Sequence, residues 1–297
     1  MSEYPEIKEL PINPSLEGFA RLDTNIVYAT RDGRDYTMDI IKPWPAQYAI
    51  EYNLEPKPKY PLVVFVQGSA WTTPDRGNEI PQLSELARKG YVVATVNHRS
   101  AIDGYPAPAF LVDVKTAIRF LRAHAAEYCI DPERVAIWGT SSGGNTALLV
   151  GTTAGDPRFL TEEYADQSDA VKCVVECFGP TDLQAMADEN YQAMQQDPNS
   201  IFALLCGFPY DDACKANMAM ISPLRYVEPG KDFPPFLMLH GTGDTMVDYS
   251  QSTRMYEKLL DCGYDATMYQ IPGAMHEGNF WSRELVAVIH AFIAERL

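Results

Sequence analysis

The sequence predicts an α/β fold, a mostly parallel, twisted sheet of eight strands with helices on both faces. From about residue 60 onward, short runs rich in Val and Ile alternate with longer segments of helical periodicity. The short runs are largely apolar, as is typical of strands buried on both faces. Two strand-like runs precede them and flank an Asp-Gly pair at residues 32–33, a pattern typical of an antiparallel hairpin.

The elements follow in order. The hairpin strands are predicted at residues 25–30 and 36–41, and the proline-punctuated stretch 43–58 is predicted as a connecting loop. The later strands are predicted at residues 62–66, 91–96, 134–138, 173–178, 235–239 and 266–270. Helices are predicted at residues 79–89, 110–127, 145–150, 250–260 and 282–296.

Residues 181–226 interrupt this alternation with apolar and polar residues in helical spacing. We interpret the segment as a small helical insertion that covers the site as a lid, because long insertions in compact domains usually have a function. An ordinary strand–helix–strand crossover with a long loop is the alternative. The whole chain, residues 1–297, is predicted to be one domain, since its 46% hydrophobic content suffices for a large core.

The net charge of −16 argues against nucleic acid and anionic membrane surfaces as partners, because like charges repel. A small molecule is the expected partner, and the oligomeric state stays open, a homodimer included. The N-terminal residues 1–6 are acidic and lack the apolar core of a secretory signal. The six cysteines show neither a C-x-x-C pair nor zinc-ligand spacing. These features together predict a cytoplasmic protein with reduced thiols.

A G-x-S-x-G motif at residues 139–143 carries the chemistry. A β-branched run precedes it and a helical segment follows it, which is the context of the nucleophile elbow of serine hydrolases. The sharp turn exposes Ser141 beside the start of a helix, and the glycines leave room for the neighbouring backbone. The alternative, a structural turn between strand and helix, does not require this whole pattern.

A serine nucleophile needs a base, and the base needs a carboxylate that orients it. His276 lies in a Gly-containing loop after the last predicted strand, where the base is expected. Asp244, on the turn after the preceding strand, is the predicted acid. Asp248 and Asp182 are the rivals, although Asp248 could instead cap the following helix. The other histidines, at positions 98, 124, 240 and 290, are set aside as structural.

An oxyanion hole requires two backbone N–H groups near the nucleophile. The residue after the nucleophile supplies one, and the loop at residues 67–71 supplies the other. The predicted donors are Ser142, Ser69 and Ala70. The predicted pocket lining is Gln67, Gly68 and Trp71, although core packing is an equal alternative for the tryptophan. Asp113 and Arg99 could pair beneath the site or remain solvated.

Residues 62–71, 113–122 and 139–144, with Asp244 and His276, together resemble the α/β-hydrolase esterases. Within them the chain is most similar to the bifunctional acetylxylan/feruloyl esterase type and to hormone-sensitive-lipase-like carboxylesterases. The similarity runs from about residue 60 to the C-terminus. The family usually has His-Gly-Gly-Gly-Trp where this chain has Gln-Gly-Ser-Ala-Trp, and an alanine where Ser142 stands.

This resemblance implies a serine carboxylesterase that hydrolyses acetyl or feruloyl esters of plant saccharides and needs neither metal nor organic cofactor. Both departures line the pocket, so they bear on the substrate rather than on hydrolysis. A prolyl-peptidase-like or arylformamidase-like amide hydrolase shares the fold and the triad, and is the alternative. A non-catalytic receptor on the same fold usually lacks a triad residue, and this chain has all three.

Overall fold

The protein forms an eight-stranded sheet in the order β1-β2-β4-β3-β5-β6-β7-β8. The computed structural model describes residues 7–190 and 196–297. The strands are β1 Ala20–Arg31, β2 Arg34–Pro43, β3 Tyr60–Val66, β4 Val92–Val96, β5 Ile130–Thr140, β6 Cys173–Cys177, β7 Phe236–Gly241 and β8 Ala266–Ile271. β1 and β2 pair antiparallel, β2 joins β4 antiparallel, and β3 to β8 run parallel. This is the α/β-hydrolase arrangement, as predicted.

Helices cover both faces of the sheet. They are α1 Trp44–Glu51, α2 Ile80–Arg88, α3 Ala109–Ala123, α4 Ala125–Tyr128, α5 Ser142–Thr152, α6 Leu183–Asn190, α7 Ile201–Cys206, α8 Asp212–Met220, α9 Ser250–Asp261 and α10 Arg283–Arg296. No helix in the described part of the chain is long and apolar enough to cross a bilayer.

The buried side chains form two clusters, one on each face of the sheet. Along β3, Leu62, Val64 and Val66 belong to one cluster, while Val63 and Phe65 belong to the other. Alternate residues of a strand point to opposite faces, so a strand covered on both sides is apolar at most positions. This burial on both faces explains the Val- and Ile-rich runs from which the strands were predicted.

Two predicted elements were wrong. The loop predicted at residues 43–58 contains helix α1, which has Pro45 in its first turn. Proline has no N–H to lose there and its φ suits a helix start, so the residue that indicated a loop begins a helix. The single helix predicted at residues 110–127 is two, since α3 ends before His124 and α4 follows directly.

Residues 181–226 are helical where the structure describes them, with α6, α7 and α8 followed by a 3₁₀ turn at Pro223–Tyr226. Residues 191–195 of the insertion lie outside the described ranges, as do residues 1–6. The insertion packs against the loop that follows β4, where the Ala107 N–H donates to Leu205 O at 2.8 Å. Its Phe202 ring lies 6.4 Å from the Trp71 ring, centroid to centroid.

Candidate active site

Ser141 occupies a sharp turn between β5 and α5, with φ 51° and ψ −123°. A side chain at Gly139 would place its Cβ 2.0 Å from Gly143 O, and one at Gly143 would place it 1.9 Å from Val66 O. No Cβ fits at such distances, so both glycines are required for the turn to exist. The turn holds the serine in an uncommon backbone conformation at the carboxyl edge of the sheet.

A hydrogen-bonded chain links Ser141, His276 and Asp244. His276 Nε2 lies 3.0 Å from Ser141 Oγ, and His276 Nδ1 lies 2.7 Å from Asp244 Oδ2. The Phe178 ring meets the imidazole edge to face, with centroids 4.6 Å apart. The His276 side chain is only 8% exposed, so its orientation is fixed by packing as well as by hydrogen bonds.

The Asp244 carboxylate is held ionised by the groups around it. Its Oδ1 accepts hydrogen bonds from the N–H groups of Met246 (2.8 Å) and Val247 (3.0 Å). Burial raises the pKa of Asp244, but hydrogen bonds from His240, His276 and the Val247 N–H outweigh it and hold the pKa well below its usual range. The carboxylate can therefore stabilise a positive charge that develops on His276.

The rival aspartates have other partners. Asp248 Oδ1 accepts from the Ser250 N–H at 2.9 Å, at the beginning of α9. Asp182 Oδ1 accepts from the Ala185 N–H at 3.2 Å, at the beginning of α6. Both carboxylates therefore satisfy helix N-termini, a common role for Asp at those positions.

Among the four other histidines, His240 lies at the site, which was not predicted from the sequence. Its Nε2 lies 3.2 Å from Asp244 Oδ2, four residues along the chain. The signal was available, because a histidine at the end of a strand and an aspartate on the following turn lie at the same sheet edge. His98, His124 and His290 contact groups elsewhere, and Asp113 is buried between Arg99 and Arg31.

The predicted oxyanion donors separate into two kinds. The N–H groups of Ser142 and Ala70 donate to no other group in the described ranges. The Ser69 N–H instead donates to Ser142 Oγ at 2.9 Å. Ser142, which stands where the family usually has alanine, thus accepts the hydrogen bond of the Ser69 N–H, so this predicted donor is not free. Two free N–H groups remain, the number that an oxyanion hole requires.

The loop at residues 67–71 approaches the nucleophile closely. A Cβ at Gly68 would lie 2.7 Å from Ser141 Cβ, and the Gly68 N–H donates to Thr140 Oγ1 at 2.8 Å. Gln67 is buried and its Oε1 has no partner among the described residues. Trp71, with 4% exposure, packs in the core, so the alternative interpretation of this residue fits the structure.

No group of three or more His, Cys, Asp or Glu side chains within residues 7–190 and 196–297 is arranged to hold a metal ion. The six cysteines are all free. The chemistry that this arrangement can perform is nucleophilic attack by Ser141 with His276 as the base, since these atoms are already within hydrogen-bond reach.

The chain resembles curated bacterial esterases. It is 28% identical over 244 residues to a protein named probable carboxylic ester hydrolase LipM from Mycobacterium tuberculosis, a match that covers 79% of this chain and 54% of that protein. It therefore spans about half the length of the curated relatives it matches.

Two solved structures are similar throughout. A truncated form of a carbohydrate esterase from gut microbiota has a TM-score of 0.77 and 28% identity, over 95% of this chain and 98% of that one. A bifunctional GH43-CE protein from Bacteroides eggerthii has a TM-score of 0.76 and 31% identity, over 93% of this chain and 38% of that one. Residues 49–259 match the BD-FAE family. The chain belongs to the BD-FAE family, within the α/β-hydrolase esterases.

Proposed function

We propose that the protein is a serine carboxylesterase that hydrolyses acyl esters of saccharides through an acyl-enzyme. One observation carries the proposal, the continuous hydrogen-bonded chain from Ser141 Oγ through His276 to Asp244 beside two free N–H groups. The names of the similar proteins, a carboxylic ester hydrolase and carbohydrate esterases, support the bond type and the substrate class.

In this proposal Ser141 Oγ attacks the ester carbonyl carbon while its proton moves to His276 Nε2. The N–H groups of Ser142 and Ala70 bind the oxygen that becomes negative. When the tetrahedral intermediate collapses, the alcohol leaves with the proton from His276. A water molecule then repeats the sequence on the acyl-enzyme and restores Ser141. Asp244 keeps its charge throughout and stabilises the imidazolium.

The acyl group is proposed to be acetyl or feruloyl. Two methionines beside the triad offer apolar surface for it, since Met246 and Met275 are 61% and 44% exposed. The insertion at residues 181–226 is proposed to act as a lid over the site, because its helix α7 packs on the loop that follows β4 and lies beside Trp71. A cytoplasmic location stays a prediction from the sequence.

Turnover of p-nitrophenyl acetate, butyrate and octanoate and of methyl ferulate tests the proposal. Turnover of acetate or ferulate that falls by about 10³-fold or more in folded Ser141→Ala is the expected result. Undiminished turnover in that variant would contradict the assignment of the nucleophile. Comparing an ester with its matched anilide separates the esterase from the amide hydrolase, and faster anilide cleavage would favour the latter.

A further inference from the structure

A second histidine contacts the triad carboxylate from behind. His240, at 0% exposure, lies near the end of β7. Its Nε2 is 3.2 Å from Asp244 Oδ2 and 3.0 Å from Val247 O. Both oxygens can only accept, so Nε2 must carry the hydrogen. His240 and His276 therefore donate to the same oxygen of Asp244.

The contacts continue into the interior. His240 Nδ1 lies 2.7 Å from Ser252 Oγ on α9. Ser252 Oγ lies 3.4 Å and 3.5 Å from the two carboxyl oxygens of Glu176 on β6. The Gly179 N–H donates to Glu176 Oε1. Glu176 and Ser252 are both at 0% exposure, so neither group is open to bulk solvent.

The positions of the hydrogens follow from these contacts. With Nε2 protonated and the ring neutral, Nδ1 must accept, so Ser252 donates its one hydrogen to His240. This is the same hydrogen that Ser252 could otherwise donate to the Glu176 carboxylate, across longer distances of 3.4 Å and 3.5 Å. Burial raises the pKa of Glu176 to about 8, against the Gly179 and Ser252 hydrogen bonds that lower it. The acid form is thus the main one at neutral pH.

Among the described residues, no charged side chain shifts the pKa of Glu176, which responds only to burial and to the Gly179 and Ser252 hydrogen bonds. The cations on the helices nearby have other partners, since Lys258 of α9 donates to Leu224 O and Arg296 of α10 pairs with Asp265. Helix α5, which packs on β6, carries no ionisable side chain. On β6 itself, burial raises the pKa of the Cys177 thiol far above its usual value, which keeps it neutral. In the loop between β7 and α9, Asp244 and Asp248 have pKa values below their usual range, and Arg254 of α9 acts on Asp248. Through Ser252, the contacts of Glu176 lead to His240.

We propose that Glu176, Ser252 and His240 are positioning residues that share one buried proton, and that this proton fixes His240 as a donor to Asp244 and so keeps the carboxylate aligned with His276. The inference rests on the proposed esterase function. Loss of the proton places a second buried negative charge behind Asp244. The Ser252 hydrogen then turns toward Glu176, and His240 Nδ1 loses its donor. Both changes weaken the alignment of the triad.

The test compares wild type with Glu176→Gln, whose amide preserves the shape and cannot ionise. Turnover of p-nitrophenyl acetate is measured from about pH 6 to about pH 10, with Ser141→Ala supplying the background rate. We expect kcat/KM of the wild type to fall at least about threefold with a midpoint near pH 8, and Glu176→Gln to lack that fall. Asp248→Asn, which removes one charge from the same region, should retain it. Superimposable profiles for wild type and Glu176→Gln would overturn the proposal.

A second measurement does not depend on turnover. In protein labelled with ¹⁵N-histidine, the His240 ring nitrogens should shift with a midpoint near pH 8 in the wild type and not in Glu176→Gln. This shift without any ester turnover would support the proton sharing among Glu176, Ser252 and His240 and contradict the esterase function. Normal turnover with no shift would support the esterase function and contradict the proton sharing. If Glu176→Gln does not fold, Ser252→Ala replaces it, because it removes the hydroxyl that couples the two groups and should abolish the shift.

Discussion

Replacing Glu176 by glutamine should change how the stability of the protein depends on pH. The folded-state pKa of this carboxyl, about 8, exceeds its ordinary value of 4.5, so the folded protein holds the proton more tightly than the unfolded chain does. The stabilising contribution of the protonated group is therefore fully present below about pH 4.5 and is lost as pH rises through about 8. Glutamine is neutral at every pH and has no such loss.

The size of the effect follows from the shift in pKa. A difference of one unit corresponds to about 1.4 kcal/mol, so the full shift corresponds to about 4 to 5 kcal/mol between acid and alkaline limits. Relative to wild type, Glu176→Gln should gain on this order in free energy of unfolding from about pH 5 to about pH 9. A cost of the substitution that does not depend on pH lowers the free energy of unfolding equally at every pH. The gain between acid and alkaline pH is therefore expected in any case.

Urea unfolding followed by circular dichroism at several pH values measures this difference. Asp248→Asn is the matched control, because hydrogen bonds from Ser250 lower the pKa of Asp248 and it stays ionised over the whole range. Its free-energy difference from wild type should be flat from about pH 5 to about pH 9. A difference between wild type and Glu176→Gln that is equally flat would refute the argument that Glu176 is protonated in the folded protein.

Three further substitutions test the site. Asp244→Asn should lower kcat by about 10³- to 10⁴-fold while the protein stays folded, and a loss below tenfold would contradict its role as the acid. Ser142→Ala should free the Ser69 N–H and raise kcat for p-nitrophenyl acetate about two- to tenfold, whereas a tenfold fall would show that the hydroxyl itself binds the oxyanion. Gly68→Ala should lower kcat/KM about tenfold or more by displacing Ser141, and unchanged kinetics would contradict the close approach.

The sheet and the turn that carries Ser141 could be predicted because each leaves a local pattern. Strands buried on both faces are mostly apolar, and the turn requires Gly139 and Gly143, so both patterns can be recognised in a few adjacent residues. The catalytic roles of Ser141, His276 and Asp244 stay predictions. Helix α1 was missed because Pro45 indicates a break in most contexts, although in the first turn of a helix it is favourable. The residues around Pro45 did not show whether it breaks a helix or begins one.

The contact of Glu176 with Ser252, and through it with His240, could not be predicted because Glu176 lies far from both in the chain. Its own local signal is that of a charged residue inside an otherwise apolar strand, which is rare unless the group is paired or neutral. The hydrogen bond from the Ser69 N–H to Ser142 Oγ could not be predicted either. It depends on where the Ser142 hydroxyl points, and the sequence shows only that the hydroxyl exists.

The loop at residues 67–71 is joined to the elbow by two hydrogen bonds, from the Gly68 N–H to Thr140 Oγ1 and from the Ser69 N–H to Ser142 Oγ. Ser141 and the proposed oxyanion donors therefore belong to one rigid unit whose spacing is set before a substrate arrives. Substitutions that displace its backbone, such as Gly68→Ala, should seldom be tolerated. Selection for new substrates should act instead on the loops above it, so that related enzymes can diverge in what they bind while the bond-breaking geometry stays constant.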